Sequence, residues 1–293
     1  MEYGIVIIAL GYELYGNAAF NLALSIKNTT PDVPIALVYE ENSISKLSTR
    51  ELTYFDKFVK IPESWYTVDG KKQYQRAKLC VNLVSNQLGW KRTIYMDSDN
   101  IWFDKPVENL YNTIKEGEFY IGFNGYYDAV KNCKISKNYT FWALNDNVKG
   151  VCRYHGITNK LPQTISGFFY FQNGEKADKI FKDARDVYDD PKAPTITWAN
   201  GKPDEYCINI ALAKQDYLQE EAHIFYFMNV NGSLSDQAIE HRFWGFATGG
   251  NKVPERLIHW FNRRINFLCK KHNILSRHYH IDKKDVILER QKF

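Results

Sequence analysis

The first strong pattern in the chain is an unbroken apolar, β-branched run, Gly4-Ile-Val-Ile-Ile-Ala-Leu10. A strand wetted on one face would alternate, so this run predicts a strand buried on both faces, as in a parallel sheet covered by helices. From Asn17 to Lys27 the apolar positions Ala18, Leu22 and Ile26 recur at helical spacing, and Pro34 to Tyr39 reads as the next strand, completing a βαβ unit. Lys72 to Leu88 predicts a longer amphipathic helix with Ala77, Cys80, Val81 and Val84 inward, stopped by Gly89. The strand Thr93 to Met96 follows and runs into Asp97-Ser98-Asp99. Phe119 to Phe123, Gly167 to Phe171 and Ile224 to Val230 read as further strands, with helices at Ala177 to Tyr188 and Glu205 to Lys214. Gly125 to Thr164 shows no clear period and is expected to form long excursions over one end of the sheet. The alternation predicts an α/β fold, a single Rossmann-like domain over residues 1–262 with a mostly parallel central sheet flanked by helices.

Composition narrows this little. With 293 residues, 44% of them hydrophobic and 25% charged, the chain has enough apolar surface for a large core and is not disordered. A mean hydropathy of -0.45 excludes a polytopic membrane protein, and the run Ile5 to Leu10 is far below the roughly 20 residues of a spanning helix. The start of the chain lacks a basic leader and a small-residue cleavage site, so a cytoplasmic, soluble protein is expected. Five cysteines without a C-x-x-C pair read as free thiols of a reducing compartment. Charge is uneven. The net +4 of the chain hides a tail, residues 263–293, that is +6 on its own. This basic extension suits an anionic partner, a membrane surface or DNA.

The candidate chemistry lies in Asp97-Ser98-Asp99. Two carboxylates two residues apart, directly after a buried strand, project at the carboxyl edge of the sheet, where α/β folds bind ligands. They are hard oxygen ligands suited to Mg²⁺ or Mn²⁺, which complete their shells with water and phosphate oxygens.

Around this segment the sequence resembles the metal-dependent glycosyltransferases of the GT-A fold, in particular the retaining enzymes of family 8. The resemblance rests on the order of short motifs from about Gly4 to about Trp260. It implies a nucleotide-binding half over about residues 1–104 and an acceptor-side half over about 105–262. Ala9-Leu-Gly-Tyr-Glu-Leu-Tyr15 is similar to the family's nucleotide loop, which implies contacts from Ala9 and stacking of a uracil on Tyr15 or Tyr12. Gln73-Tyr-Gln-Arg-Ala-Lys78 is similar to its Y-x-R helix, implying Arg76, and with it Lys78, at the diphosphate or a sugar hydroxyl. Asp97, Ser98 and Asp99 stand at the D-x-D, with His259 of Arg256-Leu-Ile-His-Trp-Phe261, an apolar strand-like run, as the third metal ligand. Ile165-Ser-Gly-Phe-Phe resembles the family's N-S-G strand, with Ser166 and Gly167 against the donor sugar.

Pro203-Asp-Glu-Tyr-Cys-Ile-Asn209 resembles the family's acidic helix start, and its Asp204-Glu205 pair is also similar to that of family 6 of the same fold. Asp204 is thereby implied at a sugar hydroxyl and Glu205 beneath the anomeric carbon. The cation on the β-phosphate is to be sought among Lys252, Arg263 and Arg264. The resemblance thus implies transfer of a sugar from a UDP-linked donor to an acceptor hydroxyl, with retention and with Mn²⁺ or Mg²⁺. The acceptor is left open between a glycan of the lipopolysaccharide kind and a modified DNA base. A nucleotidyltransferase and a non-catalytic nucleotide-sugar-binding protein are the alternatives. The first would need a basic phosphate loop that Gly11-Tyr-Glu-Leu-Tyr-Gly16 lacks.

Overall fold

The computed structural model describes residues 2–102, 111, 119–135, 141–198, 200–217, 243–245, 255–282 and 285–290. In chain order the main elements are β1 (Tyr3–Ala9), α1 (Glu13–Thr29), β2 (Ile35–Tyr39), α2 (Glu41–Ile44), α3 (Thr49–Leu52), β3 (Lys57–Val59), the small hairpin β4 (Thr67–Val68) and β5 (Lys71–Lys72), α4 (Gln75–Lys78), α5 (Val81–Leu88), β6 (Arg92–Asp97) and β7 (Asn100–Trp102). There follow β8 (Phe119–Asp128), β9 (Cys133–Ile135), α6 (Val148–His155), β10 (Lys160–Gln172), α7 (Glu175–Asp189), α8 (Asp204–Lys214), β11 (Phe243–Gly245), α9 (Glu255–Lys271), β12 (Arg277–Asp282) and β13 (Asp285–Arg290). Seven strands share one mixed sheet in the order β3-β2-β1-β6-β10-β8-β9. The expected strand over Ile224 to Val230 lies outside the described residues. No helix among the described residues is long and apolar enough to cross a membrane.

The chain divides into two interleaved compact units rather than into consecutive halves. One unit takes residues 4–60, 95–115 and 225–293. Here β1, β2 and β3 run parallel, with Ile5 opposite Ile35 and Val38 opposite Val59. The βαβ reading holds, but α1 starts at Glu13 and is buried on every side from Gly16 to Ile26, not along one stripe. A helix buried all round needs cover all round, and β7, α9 and β13 lie against it. At its heart Ser25 Oγ takes the backbone N–H of Trp102 at 2.8 Å.

The same unit absorbs the basic tail. Helix α9 runs straight through positions 262 and 263, where an extension was expected to begin, and buries Phe261, Ile265, Leu268 and Cys269. Arg256 to Phe261 is therefore helical, not strand-like. Arg277 is wholly buried, with Nε 2.8 Å from Oε1 of Glu51 and Nη2 2.9 Å from Oε2.

The other unit takes residues 1–3, 61–94 and 116–224. Strands β10, β8 and β9 pair antiparallel. Phe119, Phe169, Phe171 and Phe181 form its aromatic core, with the Phe171 and Phe181 rings 5.0 Å apart. The stretch 125–164 is more regular than its sequence predicts, holding the end of β8, then β9, α6 and the start of β10. The long helix expected over Lys72 to Leu88 is broken in two at Leu79 and Cys80. Arg185 of α7 donates to the Leu79 carbonyl at 2.7 Å, and so satisfies an oxygen that the break releases from the helix ladder.

Candidate active site

Three residues far apart in sequence meet in the second of these units. Asp204 opens α8 behind Pro203, a first-turn position at which the helix dipole favours a carboxylate. Its Oδ2 lies 2.9 Å from Lys78 Nζ and accepts a short hydrogen bond from Ser166 Oγ, and Lys78 also donates to Ser166 Oγ at 3.1 Å. Ser166 reaches this point because β10 is irregular there. Its pairing with β8 steps from Ile165↔Gly122 to Phe169↔Ile121, which takes Ser166, Gly167 and Phe168 out of that ladder. Such bulges re-aim a side chain. Asn209, one turn on, fixes the same strand by accepting from Thr164 N at 3.0 Å and Thr164 Oγ1 at 2.7 Å. The charges of the cluster are nearly buried, the Lys78 and Asp204 side chains being 13% and 7% exposed. A lone charge would be strongly disfavoured there, whereas a hydrogen-bonded pair is tolerated. Glu205 is the next residue of α8 and half-buried; about 100° of helix rotation turns it from the face Asp204 uses.

Arg76 has a different fate from the one its motif implied. Its fork closes on Asp189, Nε to Oδ1 at 2.7 Å and Nη2 to Oδ2 at 2.6 Å, while Nη1 donates to the Trp65 carbonyl at 2.8 Å. The hydrogen bonds it donates to Asp189 raise its pKa, burial opposing them. The planar fork that was to bind a diphosphate is thus matched bidentately within the protein.

In the first unit, β6 delivers Asp97 at its carboxyl end. Tyr95, two residues back and on the same side of the strand, donates its hydroxyl to Asp97 Oδ1 at 2.5 Å, and Asn100 Nδ2 donates to the Asp97 carbonyl at 2.7 Å. Ser98 is buried and Asp99 half-buried in the turn that follows. Ala9 ends β1, and its carbonyl accepts from Ser43 Oγ at 2.6 Å. Gly11 turns the chain at φ 89°, its N–H donating to Glu40 Oε2 at 3.0 Å. Tyr15 is not in a loop. It sits in the first turn of α1, its ring 6.5 Å from that of Tyr12, which is 70% exposed.

His259 is exposed on α9, and Lys252 lies outside the described residues. Asp97 and Asp99 fit a hard divalent cation by donor chemistry, with the Tyr95 hydroxyl orienting the Asp97 carboxylate. Among the described residues no group of three or more His, Cys, Asp or Glu is gathered as a metal site. Asp189, Glu40 and Tyr95 are the partners that the sequence reading missed; only Tyr95, at the i−2 position of a strand, carried a local signal.

No protein-family signature and no curated protein matches the sequence. Solved structures do. The galactosyltransferase LgtC in complex with donor and acceptor sugar analogues is similar over 96% of this chain and 98% of its own, with TM-score 0.53 and 10% identity. An active-site mutant of LgtC aligns over 91% of this chain and 95% of its own, with TM-score 0.56 and 10% identity. The chain adopts the GT-A glycosyltransferase fold. WbbM, a bifunctional glycosyltransferase, aligns over 72% of the chain at TM-score 0.45 and 12% identity, and the chain spans 37% of that protein's length. On a GT-A sheet, as on other open α/β sheets, ligands lie outside the carboxyl ends of the strands. The end of β6 that carries Asp97 is such a position.

Proposed function

We propose that the protein is a metal-dependent glycosyltransferase that moves a sugar from a nucleotide-sugar, UDP-linked, to an acceptor hydroxyl with retention. The observation that carries this reading is the buried Lys78–Ser166–Asp204 cluster on a GT-A fold. Asp204 presents a carboxylate held in place before any ligand arrives, and preorganised groups act without reorganisation cost at the moment of reaction. Its role is to accept a donor-sugar hydroxyl, with Lys78 compensating its charge and Gly167 letting the sugar approach the strand. Glu205 is assigned to the developing positive charge at the anomeric carbon. Tyr12 and Tyr15 offer ring faces to the base. A divalent cation, held by Asp97 and Asp99, would supply Lewis-acid assistance to the departing diphosphate.

The test is a panel of nucleotide-sugars with Mn²⁺, following release of free nucleotide. One donor is expected to be hydrolysed, with loss of release in Asp97→Ala and in chelator. Asp204→Asn should lower kcat/KM about 100-fold, the loss of about 2.7 kcal/mol of transition-state stabilisation, measured well below a melting temperature that falls because Lys78 loses its buried partner. Absence of release from every donor, or full activity in Asp204→Asn, overturns the assignment.

A further inference from the structure

Two tryptophans of the unit that holds Asp204 stand together at the surface. The ring centroids of Trp142 and Trp198 are 5.2 Å apart with planes inclined at 56°, and Trp198 is 43% exposed. Apolar side chains scattered singly on a surface need no explanation, whereas two indoles side by side form a contiguous patch of the kind that marks a binding site. The backbone that carries the pair is hydrogen-bonded. Trp142 O accepts from Thr195 Oγ1 at 2.8 Å and from Ile196 N at 3.0 Å, beside an antiparallel bridge between Ala143 and Thr195. Trp198 and Gly201 exchange two 2.8 Å backbone hydrogen bonds around Asn200, which has φ 66°. That hairpin is seated at Gly201, where a Cβ would stand 2.2 Å from the Tyr188 hydroxyl oxygen and 2.8 Å from Gln73 Oε1. Trp142 itself has φ 54°, a region that bulky side chains rarely enter and that surrounding structure must impose.

We infer that Trp142 and Trp198 form a saccharide-binding platform, on which a pyranose of the acceptor lays its C–H face. The proposal rests on the glycosyltransferase reading and names the acceptor as a glycan. Indole faces are electron-rich and complement the slightly positive C–H groups of a pyranose. The rings are inclined at 56°, so they form no flat slot of the kind in which a base is held by stacking between side chains. The platform also sits on the chain that leads, through Pro203, into Asp204, and the Trp198 carbonyl accepts from Gln75 Nε2 at 3.4 Å on the helix that carries Lys78.

The test is saturation-transfer NMR on the full chain with methyl β-D-galactopyranoside, lactose and maltose, and with oligothymidylate as the competing chemistry. At least one saccharide is expected to bind with transfer from indole protons. Its dissociation constant should rise about tenfold in Trp198→Ala, equivalent to about 1.4 kcal/mol, and less than threefold in Trp198→Phe, which keeps a ring. Binding by none of the saccharides, equal binding in Trp198→Ala, or oligothymidylate binding in their place overturns the proposal. Nucleotide release by the unaltered protein scores the transferase reading separately. Release without Trp198-dependent saccharide binding overturns the platform alone, while Trp198-dependent binding without release keeps the platform and removes the transferase.

Discussion

Glu51→Gln keeps the shape of a buried side chain and removes its charge, which makes it a direct probe of how the basic tail is held. Arg277 approaches both Glu51 oxygens, at 2.8 and 2.9 Å, and also donates to the Lys46 carbonyl at 2.6 Å. Glu51 in turn closes the capping box of α3, its Oε2 accepting from Ser48 N at 2.6 Å and Ser48 Oγ at 2.7 Å. At 2.8 Å and an effective dielectric of about 20, the attraction is about 6 kcal/mol, offset by several kcal/mol of desolvation for each ion. The pair is therefore worth little against an apolar one, but removing one partner leaves the other buried and uncompensated, a loss of about 3–5 kcal/mol. Protonation gives an independent figure. Burial raises the Glu51 pKa, yet hydrogen bonds from Arg277 and Ser48 outweigh it and bring the group from 4.5 to about 2. A depressed folded pKa stabilises fully above the unfolded value and is lost as pH falls from 4.5 towards 2, in total about 3 kcal/mol. Urea unfolding followed by circular dichroism should show Glu51→Gln down by about 3 kcal/mol at pH 7. Between pH 4.5 and 2.5 it should have a flatter stability profile than the parent, and Glu51→Gln with Arg277→Met should recover part of the loss. A cost under about 1 kcal/mol at pH 7, or a parent-like acid profile, would refute a buried, coupled pair.

Two further outcomes follow from the same physics. Burial, helped by Lys214, pushes His155 down to about 4 from 6.5 while its Nε2 lies 2.9 Å from the Tyr206 hydroxyl. The unfolded chain therefore takes up a proton that the native chain refuses, and stability should fall by about 1–2 kcal/mol from pH 7 to 5, a slope that thermal melts of His155→Gln should lack. In Gly16→Ala the new Cβ would stand 1.8 Å from the Ser43 carbonyl oxygen, so α1 must lift from α2 at a cost of about 3 kcal/mol; a urea midpoint equal to that of the parent would show the helix free to slide.

The strands β1 and β2 were legible because a doubly buried strand needs an unbroken β-branched run, which little else produces. The start of α1 was not, since Tyr12 caps it without a side-chain hydrogen bond and leaves no polar signal. The break at Leu79 and Cys80 was hidden for a different reason: the apolar period continues across it, and the compensating Arg185 comes from a distant helix. Arg256 to Phe261 misled because a short apolar stretch fits either period; the burial of Phe261, Ile265 and Leu268 is helical. In the candidate site, Ser166 and Asp204 were readable as motifs, but their meeting with Lys78 depends on a register slip in β10 that no local pattern encodes. Arg277 counted as one more charge of a basic tail suited to an anionic partner because Glu51, its partner, lies far away in the chain.

The four residues of α4 explain why the segment between α7 and α8 can carry exposed tryptophan without being loose. Arg76 holds Asp189, the last residue of α7, and Lys78 holds Asp204, the first residue of α8. Two residues along a helix amount to about 200° of rotation, so the two cations leave opposite sides of α4 and reach the two ends of one segment. Gln75, from the same turn, donates to the carbonyl of Trp198 in the middle of it. Ordering a surface connection costs about 1–2 kcal/mol per residue, and three anchors on one short helix, together with the seat at Gly201, offset part of that cost. Arg76 fixes the far end of the segment whose near end presents Asp204. Motif order singled out both cations, and the ion pairs divide them into one that holds the end of α7 and one that holds the carboxylate opening α8.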